Sequence, residues 1–144
     1  MKKSIFALLC VLSIVYGGNG LYRDATKGVV VDTRTGLVWQ DDATAASTTA
    51  TWANAITTCE NLVLGGYTDW RLPNINELKS IRDMSRSGPA IEATFVNTAT
   101  DNYWSSTSYA AASTNAWFVG FDYGSVDAYY YKSNSLYVRC VRGQ

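Results

Sequence analysis

The chain has 144 residues, with 12 lysines and arginines against 12 aspartates and glutamates, and no histidine. Without histidine there is no Ser-His or Cys-His nucleophile pair and no His-based metal centre. A balanced charge with no basic cluster argues against nucleic acid as a partner.

Met1-Lys2-Lys3, an apolar run from Ile5 to Tyr16 and then Gly17-Gly18-Asn19-Gly20 follow the pattern of a secretory signal peptide over residues 1–20. The apolar run is short for a bilayer span, so a membrane anchor is the weaker reading. Lipidation at Cys10 is disfavoured because Leu9 stands where a small residue is wanted. Cleavage after Gly20 removes Lys2 and Lys3 and leaves a slightly acidic exported protein, residues 21–144, long enough for a single domain with a real core. Two cysteines remain, Cys59 and Cys140. An even pair in an exported protein reads as a disulfide, against two buried thiols or a redox pair. No C-x-x-C spacing supports the redox reading.

Val29-Val30-Val31 and Leu37-Val38-Trp39 flank Asp32-Thr33-Arg34-Thr35-Gly36, which predicts a β-hairpin with Trp39 in the core. Residues 41–50 are small and polar and read as a loop, with Asp41 and Asp42 solvated. Thr51 then caps a helix whose apolar face is Trp52, Ala55, Ile56, Cys59 and Leu62, stopped by Gly65-Gly66. Asn74 and Glu77 have the spacing of a capping box behind Pro73, predicting a second helix from about Asn74 to Met84. Arg71, between Trp70 and Leu72, needs partners in an apolar setting and is expected in a structural ion pair.

Residues 85–102 read as an irregular connection tucked down by Ile91, Phe95 and Val96. Strands follow at 103–108, 116–122, 126–132 and 136–141, with turns at 122–125 and 133–135. The class is α+β: two early helices and a late, twisted antiparallel sheet with C-terminal hairpins. Alternation in the second of these strands puts Trp117, Val119 and Phe121 on the core face and Phe118, Gly120 and Asp122 on the other. Seven of the ten tyrosines lie between residues 103 and 137, mixed with Ser, Asn, Asp, Gly and Ala. That mixture is how antibody loops make contact, although tyrosine is also an ordinary strand former.

Several motifs carry a resemblance. TGLVW at 35–39, W..A...C at 52–59, GYTDWRLPN.NEL at 66–78, YWSST at 103–107 and YVRCVRG at 137–143 resemble the Lcl C-terminal domain family of bacterial exported proteins. The resemblance implies a C-type-lectin-like fold, related to that of the formylglycine-generating enzyme, with a variable face on its C-terminal strands. It also implies that Cys59 and Cys140 are scaffold positions. Some members are targets of diversity-generating retroelements, which mutate adenines and turn Asn codons into codons for many residues but never Trp, Lys, Gln, Glu or Met. The outward candidates here, Phe118, Gly120, Asp122, Tyr123, Ser125, Asp127, Ala128, Tyr129, Tyr130 and Ser133, all fall within the permitted set. Phe118 is the most telling of them, because a large apolar residue opposite the core face wants either a second core or a ligand.

With Tyr109 and Asn115 these residues form the expected ligand-binding face, for a protein or a surface glycan. The expected protein is exported to the periplasm, cell surface or medium, is not an enzyme, uses no cofactor or metal, and can oligomerise. Calcium-dependent sugar binding is disfavoured because Leu72 precedes Pro73-Asn74 where a ligating side chain belongs. The rivals are a fixed polysaccharide-binding adhesin domain without diversification and an exported enzyme using its cysteines.

Overall fold

A computed structural model describes residues 20–143, so the expected signal peptide lies outside the described residues apart from Gly20. Strands β1 (Leu21–Asp24), β2 (Val29–Asp32) and β3 (Val38–Gln40) form an antiparallel meander, joined on its far side by β9 (Val141–Arg142). A 3-10 turn at Ala43–Ala46 and strand β4 (Thr49–Ala50) lead into helix α1 (Trp52–Glu60), and helix α2 follows at Ile75–Ser80. The second sheet has the order β4-β8-β5-β6-β7, with β5 at Asn102–Ser108, β6 at Ala116–Gly120, β7 at Ser125–Asp127 and β8 at Leu136–Tyr137. The class is α+β as expected, but there are two sheets, and β8 runs parallel to β5.

The predicted strand over 136–141 is divided between these sheets. Its middle leaves the ladder because Arg139 turns inward, donating to the carbonyl oxygen of Gln40 at 2.6 Å and to Thr98 Oγ1 at 2.7 Å. The predicted 126–132 strand stops at Asp127 for a related reason: side chains take over its backbone groups. Asp127 Oδ1 accepts from the amide of Ala128, and Asn115 Nδ2 donates to its carbonyl.

Helix α2 starts as read. Asn74 Oδ1 accepts from the Glu77 amide at 2.9 Å, and Glu77 Oε1 accepts from the Asn74 amide at 2.8 Å. It ends earlier than expected because the following backbone pairs elsewhere: the Ile81 carbonyl accepts from Glu92 and the Asp83 amide donates to Ala90. Helix α1 also stops early. Gly65 and Gly66, both at positive φ, are not its cap but the two central residues of a tight hairpin in which Leu64 and Tyr67 exchange backbone hydrogen bonds.

Both faces of the strands are buried. One core gathers Val30, Trp39, Leu78, Tyr103, Val119 and Phe121 under α2, while the other gathers Val29, Val38, Cys59, Trp104, Phe118 and Cys140 under α1. The neighbours Tyr103 and Trp104, like Val119 and Phe118, thus face opposite cores. The expected bond between Cys59 and Cys140 is present and joins α1 to the segment between β8 and β9. Trp39 is fully buried, as read.

The Arg71 ion pair is also as read. Its guanidinium grips Glu77 with two bonds, Nη1 to Oε1 at 2.8 Å and Nη2 to Oε2 at 2.7 Å. Burial pushes the Glu77 carboxyl upward, but bonds from Arg71 and the Asn74 amide outweigh it and hold the group below its ordinary value of 4.5. Asp32 behaves alike: burial raises it, and bonds from Arg34 and Thr35 bring it lower still. A carboxyl depressed on folding contributes stability above its unfolded value and loses it as the pH falls through its folded one. Glu77→Gln therefore costs about 1–2 kcal/mol near neutral pH. The gap to the wild type narrows as the pH falls below the ordinary glutamate value, and closes only once the pH has passed the depressed folded value, where both carry a neutral side chain. Urea melts of the two proteins at stepped pH measure it, and a gap independent of pH would refute the assignment.

Candidate functional site

The C-terminal hairpins end in a cleft. Strand β5 contains a bulge between Trp104 and Ser108, so four of its residues span what two cover on β6. The irregularity lies across from Trp117, whose carbonyl accepts from Ser105 Oγ at 2.7 Å. Beyond it the chain loops through 109–115, and the Tyr109 amide closes the loop onto the Asn115 carbonyl at 3.0 Å. Tyr109, Asn115, Trp117, Asp127, Ala128 and Tyr129 line the resulting cavity of about 210 Å³.

Five of these six come from the expected face. Asn115 holds the cleft together: Nδ2 donates to the Ala128 carbonyl at 3.0 Å, and Oδ1 accepts from Thr114 Oγ1 at 2.9 Å. Its backbone also pairs with Tyr131. Tyr109 meets Trp117 edge to face, with centroids 5.5 Å apart and planes at 89°. Tyr129 is 59% exposed and leans on Tyr130 at 4.6 Å and on Phe118 at 5.0 Å.

Three positions of the expected face, read as outward, are buried, and that reading needs correction. Phe118 is fully buried: the strand is covered on both sides, and of the two choices that its position left open, the second core is the one realised. Gly120 is buried as well, and a Cβ there would come within 2.8 Å of Ser125, Asp122 and Asn102 side-chain atoms, so a larger residue requires those side chains to move aside. Ala128 is 5% exposed and offers the cleft only a small patch. Tyr130 is half-buried against the second core. Asp122, Tyr123 and Ser125 lie at the other end of the β6–β7 hairpin, and Ser133 on the turn before β8; all four are at least partly exposed, and none lines the cavity.

Trp117, expected in the core, is half-buried and lines the cavity, and Tyr131, one of the regional tyrosines but outside the expected face, is 61% exposed. The available clue was that Trp117 sits one residue into its strand, beside a polar loop, where an alternating pattern has run past the end of the core.

The cleft is aromatic and acidic. Desolvation, then the Tyr130 hydroxyl, then the carboxylates of Asp127 and Asp122 raise the Tyr129 hydroxyl above its ordinary value. Among the described residues no lysine or arginine forms an ion pair with Asp127. Lys132 is engaged elsewhere, 4.1 Å above the Trp52 ring and bonded to Ser108 Oγ at 2.7 Å. Chemically the arrangement can hold a ligand by ring contact and charge. Cys59 and Cys140 are consumed in their bond, are buried in the second core, and do not line the cleft. Among the described residues no group of three or more Cys, Asp or Glu is placed to hold a metal ion, and no helix is long and apolar enough to cross a membrane.

Comparison with curated proteins finds no match. The model of the family described as the Lcl C-terminal domain matches residues 28–142, from the start of β2 to the end of β9. This chain belongs to the Lcl C-terminal domain family.

Proposed function

We propose that this is an exported, non-enzymatic recognition domain with a C-type-lectin-like fold, which binds a protein or surface glycan through the end of its C-terminal hairpins. One observation carries the reading: Tyr109, Asn115, Asp127, Ala128 and Tyr129, from two separate stretches of the chain, line one cavity. Recognition then works through aromatic anchors surrounded by small polar contacts, on a frame that keeps them ordered before the ligand arrives. The disulfide supports export, because such bonds persist in oxidising compartments. It also weakens the reading of an enzyme working through free thiols.

On diversification, the burial of Phe118 and Gly120 favours the second reading, a fixed face. Neither presents a side chain to solvent, exchange at Gly120 requires its neighbours to shift, and the argument that Phe118 awaits a ligand falls. Flanking DNA separates the two: a reverse transcriptase gene with a near-copy of the codons for residues 103–142 would restore diversification.

The test of the face is a labelled domain applied to arrayed bacterial polysaccharides and purified surface proteins. Tyr123→Ala with Tyr129→Ala removes two rings that are 75% and 59% exposed. Binding should fall at least about tenfold, as for loss of an aromatic anchor, while Tm stays within about 4 °C of the wild type. Unchanged binding in a folded variant would place recognition elsewhere.

A further inference from the structure

The cleft itself constrains its occupant. At about 210 Å³ it is smaller than the sites that enclose whole drug-sized ligands, which begin at about 300 Å³. It admits one headgroup or the end of one side chain. Its rings are not a flat platform of the kind on which a sugar ring lies, since Tyr109 and Trp117 stand at 89° to each other and make a corner. Tyr129 also lines the cleft, its ring leaning on Phe118 and Tyr130.

Among the residues lining the cleft the one charged side chain is acidic. Asp127 is exposed on its rim, with Oδ1 accepting from the Ala128 amide at 2.8 Å and no cationic side chain paired to it among the described residues. Asp122 lies close enough to act on Tyr129 as well. A ring face is negative and attracts a cation, and an unpaired carboxylate beside several rings adds to that attraction. The same field repels sulfate, phosphate or uronate groups, which meet no cationic side chain among the lining residues.

We infer that the cleft formed by Tyr109, Trp117, Tyr129 and Asp127 takes a small organic cation, an alkylammonium or trimethylammonium group, with the rings as its cage and Asp127 as its counter-ion. The inference rests on the reading of this end of the molecule as the recognition face and narrows what that face selects. The group has two sources, a lysine side chain of a protein or a choline-type headgroup.

The experiment is a titration followed through the Trp117 indole and neighbouring amide resonances. Its probes are Nα-acetyl-lysine methylamide, choline, and the neutral isosteres Nα-acetyl-norleucine methylamide and 3,3-dimethylbutanol. Either cation should shift these resonances saturably, the lysine derivative pointing to a protein source and choline to a headgroup. Each neutral isostere, and each cation with Asp127→Asn, should bind about tenfold more weakly. Asp127 is exposed on a short edge strand, so the variant keeps its fold, which the remaining resonances report. Equal binding of a neutral isostere would overturn the cation preference and leave the recognition face standing. No saturable shift from any probe would overturn the inference altogether, while the array assay of the Tyr123/Tyr129 variant still judges the face.

Discussion

Replacing Cys59 and Cys140 together by alanine should remove about 4–5 kcal/mol of stability, the largest loss expected from any pair of side chains this small. The bond closes a loop with a sequence separation of 81 residues. Without the cross-link the unfolded chain regains the freedom of that loop, worth about 4.5 kcal/mol on the chain-entropy account. Both residues are almost fully buried among Trp70, Leu72 and Val138, so the lost sulfurs also leave packing defects in the second core. Domains commonly hold only about 5–15 kcal/mol in all, which puts the variant near the edge of folding at body temperature. Urea denaturation of the oxidised wild type, the unfolded-then-reduced wild type and the double variant separates the two causes. Equal losses in the last two identify the cross-link, and a smaller loss in the reduced protein identifies packing. A double variant within about 1 kcal/mol of the oxidised protein would mean that the bond constrains little.

What the sequence made legible was local or paired by chemistry. The Asn74–Glu77 capping box needs only residues three apart, and the hairpin after Gly28 needs only its own turn; both stand as read. The cysteines could be matched across the chain because few partners existed. Alternation failed where it relied on a strand having one dry face. Val119 and Phe118 are both buried because α2 and α1 cover opposite sides of the same sheet, and period-2 reasoning cannot see the second cover. It failed again at Trp117, where the pattern outruns the core and the bulge in β5 leaves the indole lining the cleft. The cleft was therefore legible as a region rich in tyrosine, while its floor and its acidic character required the fold. Gly65-Gly66 was read as a helix stop because glycine marks any positive-φ position, and only the pairing of Leu64 with Tyr67 shows which kind of turn it serves.

The expectation that Asp41 is solvated fails for a similar reason, and its failure carries the second large effect. Asp41 is fully buried. Its carboxylate accepts from Arg23 Nε at 2.6 Å, the Asn97 amide at 3.1 Å, the Val96 amide at 3.3 Å and Arg139 Nη1 at 3.4 Å. The arginines are 18 and 98 residues away in sequence, so no local pattern could have announced them. Arg139 is itself wholly buried; its guanidinium also donates to the carbonyls of Gln40 and Asn97 and lies 4.9 Å from the Phe95 ring. Asp41→Ala leaves that cation buried without its counter-ion and two amides without an acceptor, and should cost about 3–5 kcal/mol. Asp41→Asn keeps the shape and one acceptor oxygen but not the charge, so its loss should be smaller. Adding Arg139→Met to Asp41→Asn removes the stranded cation and should recover part of that loss, because a neutral core replaces half of an ion pair. Chemical denaturation of the three variants reads the series. An Asp41→Ala protein within about 1 kcal/mol of wild type would mean that carbonyls and ring faces alone neutralise Arg139. Because none of these residues lines the cleft, any variant that folds in the cold should bind choline or the lysine derivative as the wild type does. That separates the network that fastens the 95–98 segment and the first sheet to the last strands from the surface those strands present.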